Sequence, residues 1–84
     1  MQNYEAVKEE TGVKVAIYTL NMKYIDTIDV ALLKEGMYVK NLFYFKAGVQ
    51  SERKFLKVTG PTLDGPEDYM IQTEDGYYSP LCVE

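Results

Sequence analysis

The stretch Ile25-Asp26-Thr27-Ile28-Asp29-Val30-Ala31-Leu32-Leu33-Lys34-Glu35-Gly36 decides how the chain is read, because everything after it carries strand and turn signals. Asp26 in the capping position places Asp29 three residues on, a capping box with Asp instead of the usual Glu. Ile25 and Val30 then hold the two ends of a hydrophobic staple. Ile28, Ala31, Leu32 and Glu35 recur at helical spacing, and Leu33 widens the apolar stripe. Gly36 accepts the left-handed conformation that closes a helix. Ile28–Leu33 can also be read as a further strand. Ala31, Leu32, Leu33, Lys34 and Glu35 favour helix by propensity, and a helix is the expectation.

Upstream, Asn3 can cap a two-turn helix over Tyr4–Thr11 that Gly12 would close, with Glu5 in its first turn. Val13–Tyr18 alternates as a strand, with Val13, Val15 and Ile17 on one face, and Asn21 suggests a bend beyond it. Downstream, Met37–Lys46 is the strongest strand signal. Met37, Val39, Asn41, Phe43 and Phe45 fall on one face, and Tyr38, Lys40, Leu42, Tyr44 and Lys46 on the other. Both faces carry large apolar groups, which suits a sheet covered on each side. Ala47–Glu52 reads as a loop and Arg53–Thr59 as the return strand, with Leu56 and Val58 opposite in facing to Phe55 and Lys57. Two glycines and two prolines make Gly60–Pro66 a long turn. Asp68–Thr73 is a fourth strand, Glu74-Asp75-Gly76 a tight hairpin needing positive φ, and Tyr77–Val83 a closing strand. Pro80 confines that strand to an edge, or breaks its pairing. The expected fold is α+β: a five-stranded antiparallel sheet flanked by two short helices, in one domain over residues 1–84.

Composition narrows the function. The apolar fraction of 46% suffices for a globular core. No apolar run approaches the roughly 20 residues that cross a bilayer, and the first residues lack the pattern of a signal peptide. There is one cysteine and no histidine. Imidazole acid–base chemistry and catalytic triads are thereby excluded, zinc is nearly so, and Cys82 reads as a small buried thiol in a reducing cytoplasm. Gly60, Gly65 and Pro66 do not form a phosphate-cradling loop, and Asp64, Glu67 and Asp68 lack calcium-loop spacing. No enzyme, cofactor or small-molecule substrate is expected.

Charge is unevenly spread. Residues 1–57 hold nine basic and seven acidic side chains; Val58–Glu84 holds six acids and no base. Direct nucleic-acid binding is disfavoured, because phosphate contacts need Lys and Arg, although eight tyrosines could stack on bases. A protein partner with a basic surface is favoured.

Two short motifs carry a family resemblance. Glu10-Thr11-Gly12 leads directly into a Val/Ile strand, and Pro66 is followed by Ile71-Gln72 and then Gly76 before a closing strand. With the compact size and the order of elements, this resembles the phage-encoded uracil-DNA glycosylase inhibitors of the Bacillus phage type. The match covers residues 1–17 and 59–84. The resemblance implies a two-helix, five-stranded fold that imitates DNA and blocks the glycosylase stoichiometrically in a bacterial host cytoplasm. Carboxylates would stand where phosphates do, and an apolar pocket would enclose the enzyme's minor-groove leucine. The family's acidic-Ser-apolar run after its first strand is absent, since Thr19-Leu20 stands there. The chemical equivalent in this chain is Asp26-Thr27-Ile28, with Asp29 adding a second carboxylate. The implied pocket is Ile28, Ala31 and Leu32 from the helix, with Met37, Leu42, Phe55 and Met70 from the sheet. The same apolar residues could instead be ordinary core. Two other readings stay open: a β-rich adaptor binding through a sheet edge or a tyrosine-rich face, and a DNA mimic directed at another nuclease or defence enzyme.

Overall fold

Tyr24–Asp29 is a strand, and this single change reorganises the molecule. The computed structural model describes residues 5–42, 44–46, 49–51 and 55–84, with backbone alone for 44–46 and 49–51. β1 (Lys14–Tyr18) and β2 (Tyr24–Asp29) form a hairpin. Ile25, Thr27 and Ile28 are β-branched, and pairing Val15 with Ile28 lets two such side chains meet on the core face. That cross-strand partnership outweighs the helix propensity of the residues that follow. What remains of the expected helix is one 3-10 turn, Val30–Leu32, capped by Asp29. Gly36 does take positive φ, at +96°, but in the turn that leads into β3 (Tyr38–Lys40).

The first expected helix is also absent from its described part. Ala6 bridges Leu63, the Val7 amide donates to the Thr62 carbonyl at 2.8 Å, and the Asp64 amide to Glu5 at 2.9 Å. A two-turn helix is marginal alone, and an extended segment completes the neighbouring strand's hydrogen bonding instead. Among the described residues no α-helix forms, and none is long and apolar enough to cross a membrane.

The strands that follow are β4 (Tyr44–Lys46), β5 (Val49–Ser51), β6 (Phe55–Lys57), β7 (Leu63–Asp64), β8 (Tyr69–Thr73) and β9 (Gly76–Tyr78). They build a four-stranded antiparallel sheet in the order β2-β1-β3-β6, a three-stranded one in the order β7-β8-β9, and the β4–β5 hairpin. The expected single sheet is thus divided. Val58 bridges Thr73, so β6 runs on into register with β8 and the larger sheet curves into the smaller. The expected long strand Met37–Lys46 is interrupted, with a bend at Leu42; Phe43, Ala47, Gly48, Glu52 and Arg53 lie outside the described residues. Val49–Ser51, read as loop, is strand. The closing strand stops at Tyr78, and Pro80 opens a 3-10 turn over Pro80–Cys82. The Asp75-Gly76 hairpin forms as expected, with Gly76 at φ +112°.

β1 and β3 pair only at Tyr18 and Tyr38. Residue 84 bridges the two strands beyond that pair: its carbonyl accepts from the Ala16 amide at 3.4 Å and its amide donates to the Lys40 carbonyl at 2.7 Å. Val15, Ile17, Val30, Leu33, Val39, Leu56, Val58, Ile71 and Val83 make the core. Burying each large aliphatic side chain contributes about 1.5–3 kcal/mol, which is what holds so small a chain folded. The alternation expected for β3 and β6 is observed: Val39, Leu56 and Val58 are buried, while Lys57 is exposed.

Candidate functional site

The carboxylates of the opening stretch have different fates. Asp29 is 5% exposed and points inward. Its oxygens accept from the Thr11 amide at 3.1 Å, the Thr11 hydroxyl at 2.8 Å, the Gly12 amide at 2.8 Å and the Ala31 amide at 3.0 Å. Charge-assisted bonds of this kind satisfy a carboxylate without a cation. The Ala31 amide leads, with Thr11 and Gly12 adding to it against the cost of desolvation, in holding the Asp29 carboxyl at about 2 rather than 3.8. Gly12, at φ +80°, turns its amide toward this carboxylate rather than closing a helix. Asp29 therefore ties residues 11–12 to β2 and is not available to a partner, contrary to the groove-facing role expected for it.

Asp26 and Thr27 are exposed on β2, with the Asp26 carboxylate accepting the Thr27 amide at 2.8 Å and Thr27 sharing a hydrogen bond with the Tyr24 hydroxyl at 2.7 Å. The expected pocket residues are dispersed. Ile28 and Met37 pack on the core, and Ala31 is half-buried in the 3-10 turn. Leu32 is 50% exposed. Leu42 lies beside the Cys82 carbonyl, to which its amide donates. Phe55 lies on the outer face of the larger sheet, packed edge-on against Tyr18 at 5.0 Å and under the Lys40 ammonium at 5.4 Å. Tyr24 continues this row, 6.2 Å from Tyr18. Among the described residues no α-helix closes over the sheet, and these side chains lie on different parts of the fold.

Met70 has a different setting. It lies on β8 in a mostly apolar cleft of about 300 Å³, with Pro66, Tyr69, Tyr77 and Tyr78 around it. Glu67 and Asp68 add two carboxylates to its lining. Asp68 is fixed there, accepting the Tyr69 amide and the Ser79 hydroxyl. Gly65 permits this shape, because a methyl group on it would strike the Asp68 carbonyl oxygen. No family model, no curated protein and no solved structure matches this chain. The chemistry therefore has to be taken from the site. A second, more polar cleft adjoins the first through Asp64 and Tyr69, and carries Glu5, Glu9 and Glu10 with Lys8. The pairing of residues 5–7 with 62–64 brings these acids, distant in sequence, into one cleft with Asp64.

None of Glu5, Glu9, Glu10 and Tyr77 was expected as a site residue from sequence. Assigning the acids to a helix hid the contact, and only the strand-like pairing of Ala6 with Leu63 reveals it. Cys82 is exposed rather than buried, because the 3-10 turn lifts it out of the sheet. Among the described residues no group of His, Cys, Asp and Glu side chains is placed to hold a metal.

Proposed function

We propose that this chain is a non-catalytic inhibitor that occludes the DNA groove of a uracil-DNA glycosylase. The observation that carries the reading is the apolar cleft around Met70 with Glu67 and Asp68 in its lining. A groove that binds DNA is basic and offers apolar side chains that wedge between bases. A surface complementary to it needs carboxylates in place of phosphates and an apolar recess between them. The cleft supplies the recess, and Glu5, Glu9, Glu10 and Asp64 extend the carboxylate surface. The end motifs support the same reading, since Thr11-Gly12 holds Asp29 and Pro66 borders the cleft. The partner-binding residues are accordingly Met70, Tyr77, Glu67 and Asp68 rather than the Asp26–Leu32 run.

The test mixes purified chain, glycosylase and uracil-containing DNA and measures base excision. Excision should fall in proportion to added chain and be restored when Glu67→Lys replaces the wild type; undiminished excision at molar excess would sink the proposal. A β-rich adaptor is the second reading, favoured by the outward aromatic row Tyr24, Tyr18 and Phe55. Capture of a partner that is lost on Tyr24→Ala but retained on Glu67→Lys would identify it.

A further inference from the structure

The hairpin joining β1 to β2 ends in an apolar tip. Leu20 is 74% exposed and Met22 63%, and Tyr24 and Ile25 follow at 59% and 54%. Exposed apolar groups scattered singly need no explanation, but a run of four on one projecting hairpin marks a contact surface. The tip is built to hold its shape. The Thr19 hydroxyl accepts the Asn21 and Lys23 amides at 3.2 and 3.1 Å, and the Thr19 backbone bonds Lys23 and Met22 at 2.8 and 2.9 Å. Met22 is the one described non-glycine residue at positive φ, +67°. A long side chain held where glycine or asparagine would be easier is retained against a local cost.

The charge at the tip identifies what it fits. Lys23 is the ionisable side chain of the turn, and it is exposed. A complementary site is an apolar recess with acids in its lining, which is the description of the cleft between Pro66 and Ser79. Its volume of about 300 Å³ lies at the small end of ligand pockets and suits one or two aliphatic side chains rather than a cofactor. We propose that the occupant of this cleft in the isolated protein is the hairpin tip of a second copy. Met22 and Leu20 enter beside Met70 and Tyr77, and Lys23 approaches Glu67 and Asp68. The contact uses the cleft invoked for the inhibitor but needs only its shape and charge, so it stands or falls independently of the partner. Where both hold, self-association masks the cleft, and a partner must displace the tip.

Analytical ultracentrifugation of the chain alone, from about 1 μM to 1 mM, provides the test. The weight-average mass should rise with concentration. Met22→Asp, Lys23→Glu and Glu67→Lys should each weaken association at least about tenfold, while far-UV circular dichroism stays unchanged. The double variant Lys23→Glu/Glu67→Lys should regain most of the loss, because the two charges have exchanged places. A chain that is monomeric throughout overturns the proposal. So does association indifferent to Met22→Asp, or a double variant no better than its parents.

Discussion

Asp29 shows how much one side chain can organise. Four donors from two segments, residues 11–12 and Ala31, converge on it, so Asp29→Asn, which puts an amide NH₂ among those donors, should lower the Tm by several degrees in a thermal melt. The pH dependence has a definite sign. Its folded value of about 2 lies below the ordinary 3.8, so the unfolded chain takes up the proton first. The stabilisation is complete above the unfolded value and is lost as pH falls through about 2. Wild type should therefore lose Tm steeply in that window, and Asp29→Asn should lose less; parallel curves would show that other carboxylates govern acid unfolding. Met22 offers the opposite case. Met22→Gly should relieve the left-handed strain and raise stability by about 0.5–1 kcal/mol in urea unfolding, while weakening self-association.

At the scale of elements, core and tip should separate cleanly. Leu56→Ala, at a core position with no exposure on β6, should cost about 2–5 kcal/mol in urea unfolding. Leu20→Ala should stay within about 0.5 kcal/mol. The strands with clear alternation, β1, β3, β6 and β8, were legible in the sequence, as were the Asp75-Gly76 hairpin and the break at Pro80. The helices were not, for a physical reason. Asp29 does cap a turn and Gly36 does end one, but the same letters permit one turn or three. What decided between them was the Val15–Ile28 pairing, a contact between segments. Legibility of the site was poorer. Met70 was expected in a pocket with Ile28, Ala31, Leu32 and Phe55 but lines a cleft with none of them, and the acids of residues 5–10 come near it through a pairing that no local pattern encodes.

At the scale of the whole molecule, acids are concentrated at one surface among the described residues. Acids gather around the two adjoining clefts, whereas Lys40 and Lys57 belong to the larger sheet, where Lys40 pairs with Glu84 at 3.5 Å. A partner drawn to the cleft side should bind more slowly as salt rises. Stopped-flow association rates with a basic partner should fall several-fold between low and physiological ionic strength, with dissociation little changed. A salt-indifferent on-rate would argue that the acids serve solubility alone. The aromatic row, with Tyr24 exposed and Tyr18 and Phe55 half-buried, lies on the larger sheet, so one small chain can offer a carboxylate-lined recess and an aromatic surface.

Residue 84, wedged between Ala16 and Lys40, has a kinetic consequence. The seam between β1 and β3 cannot be sealed until segments from opposite ends of the sequence have met. Contacts so far apart along the chain slow the search for the native state, placing this fold with the millisecond-to-second β proteins rather than the microsecond helical ones. During that interval the backbones of Ala16 and Lys40 are open to any strand that arrives first.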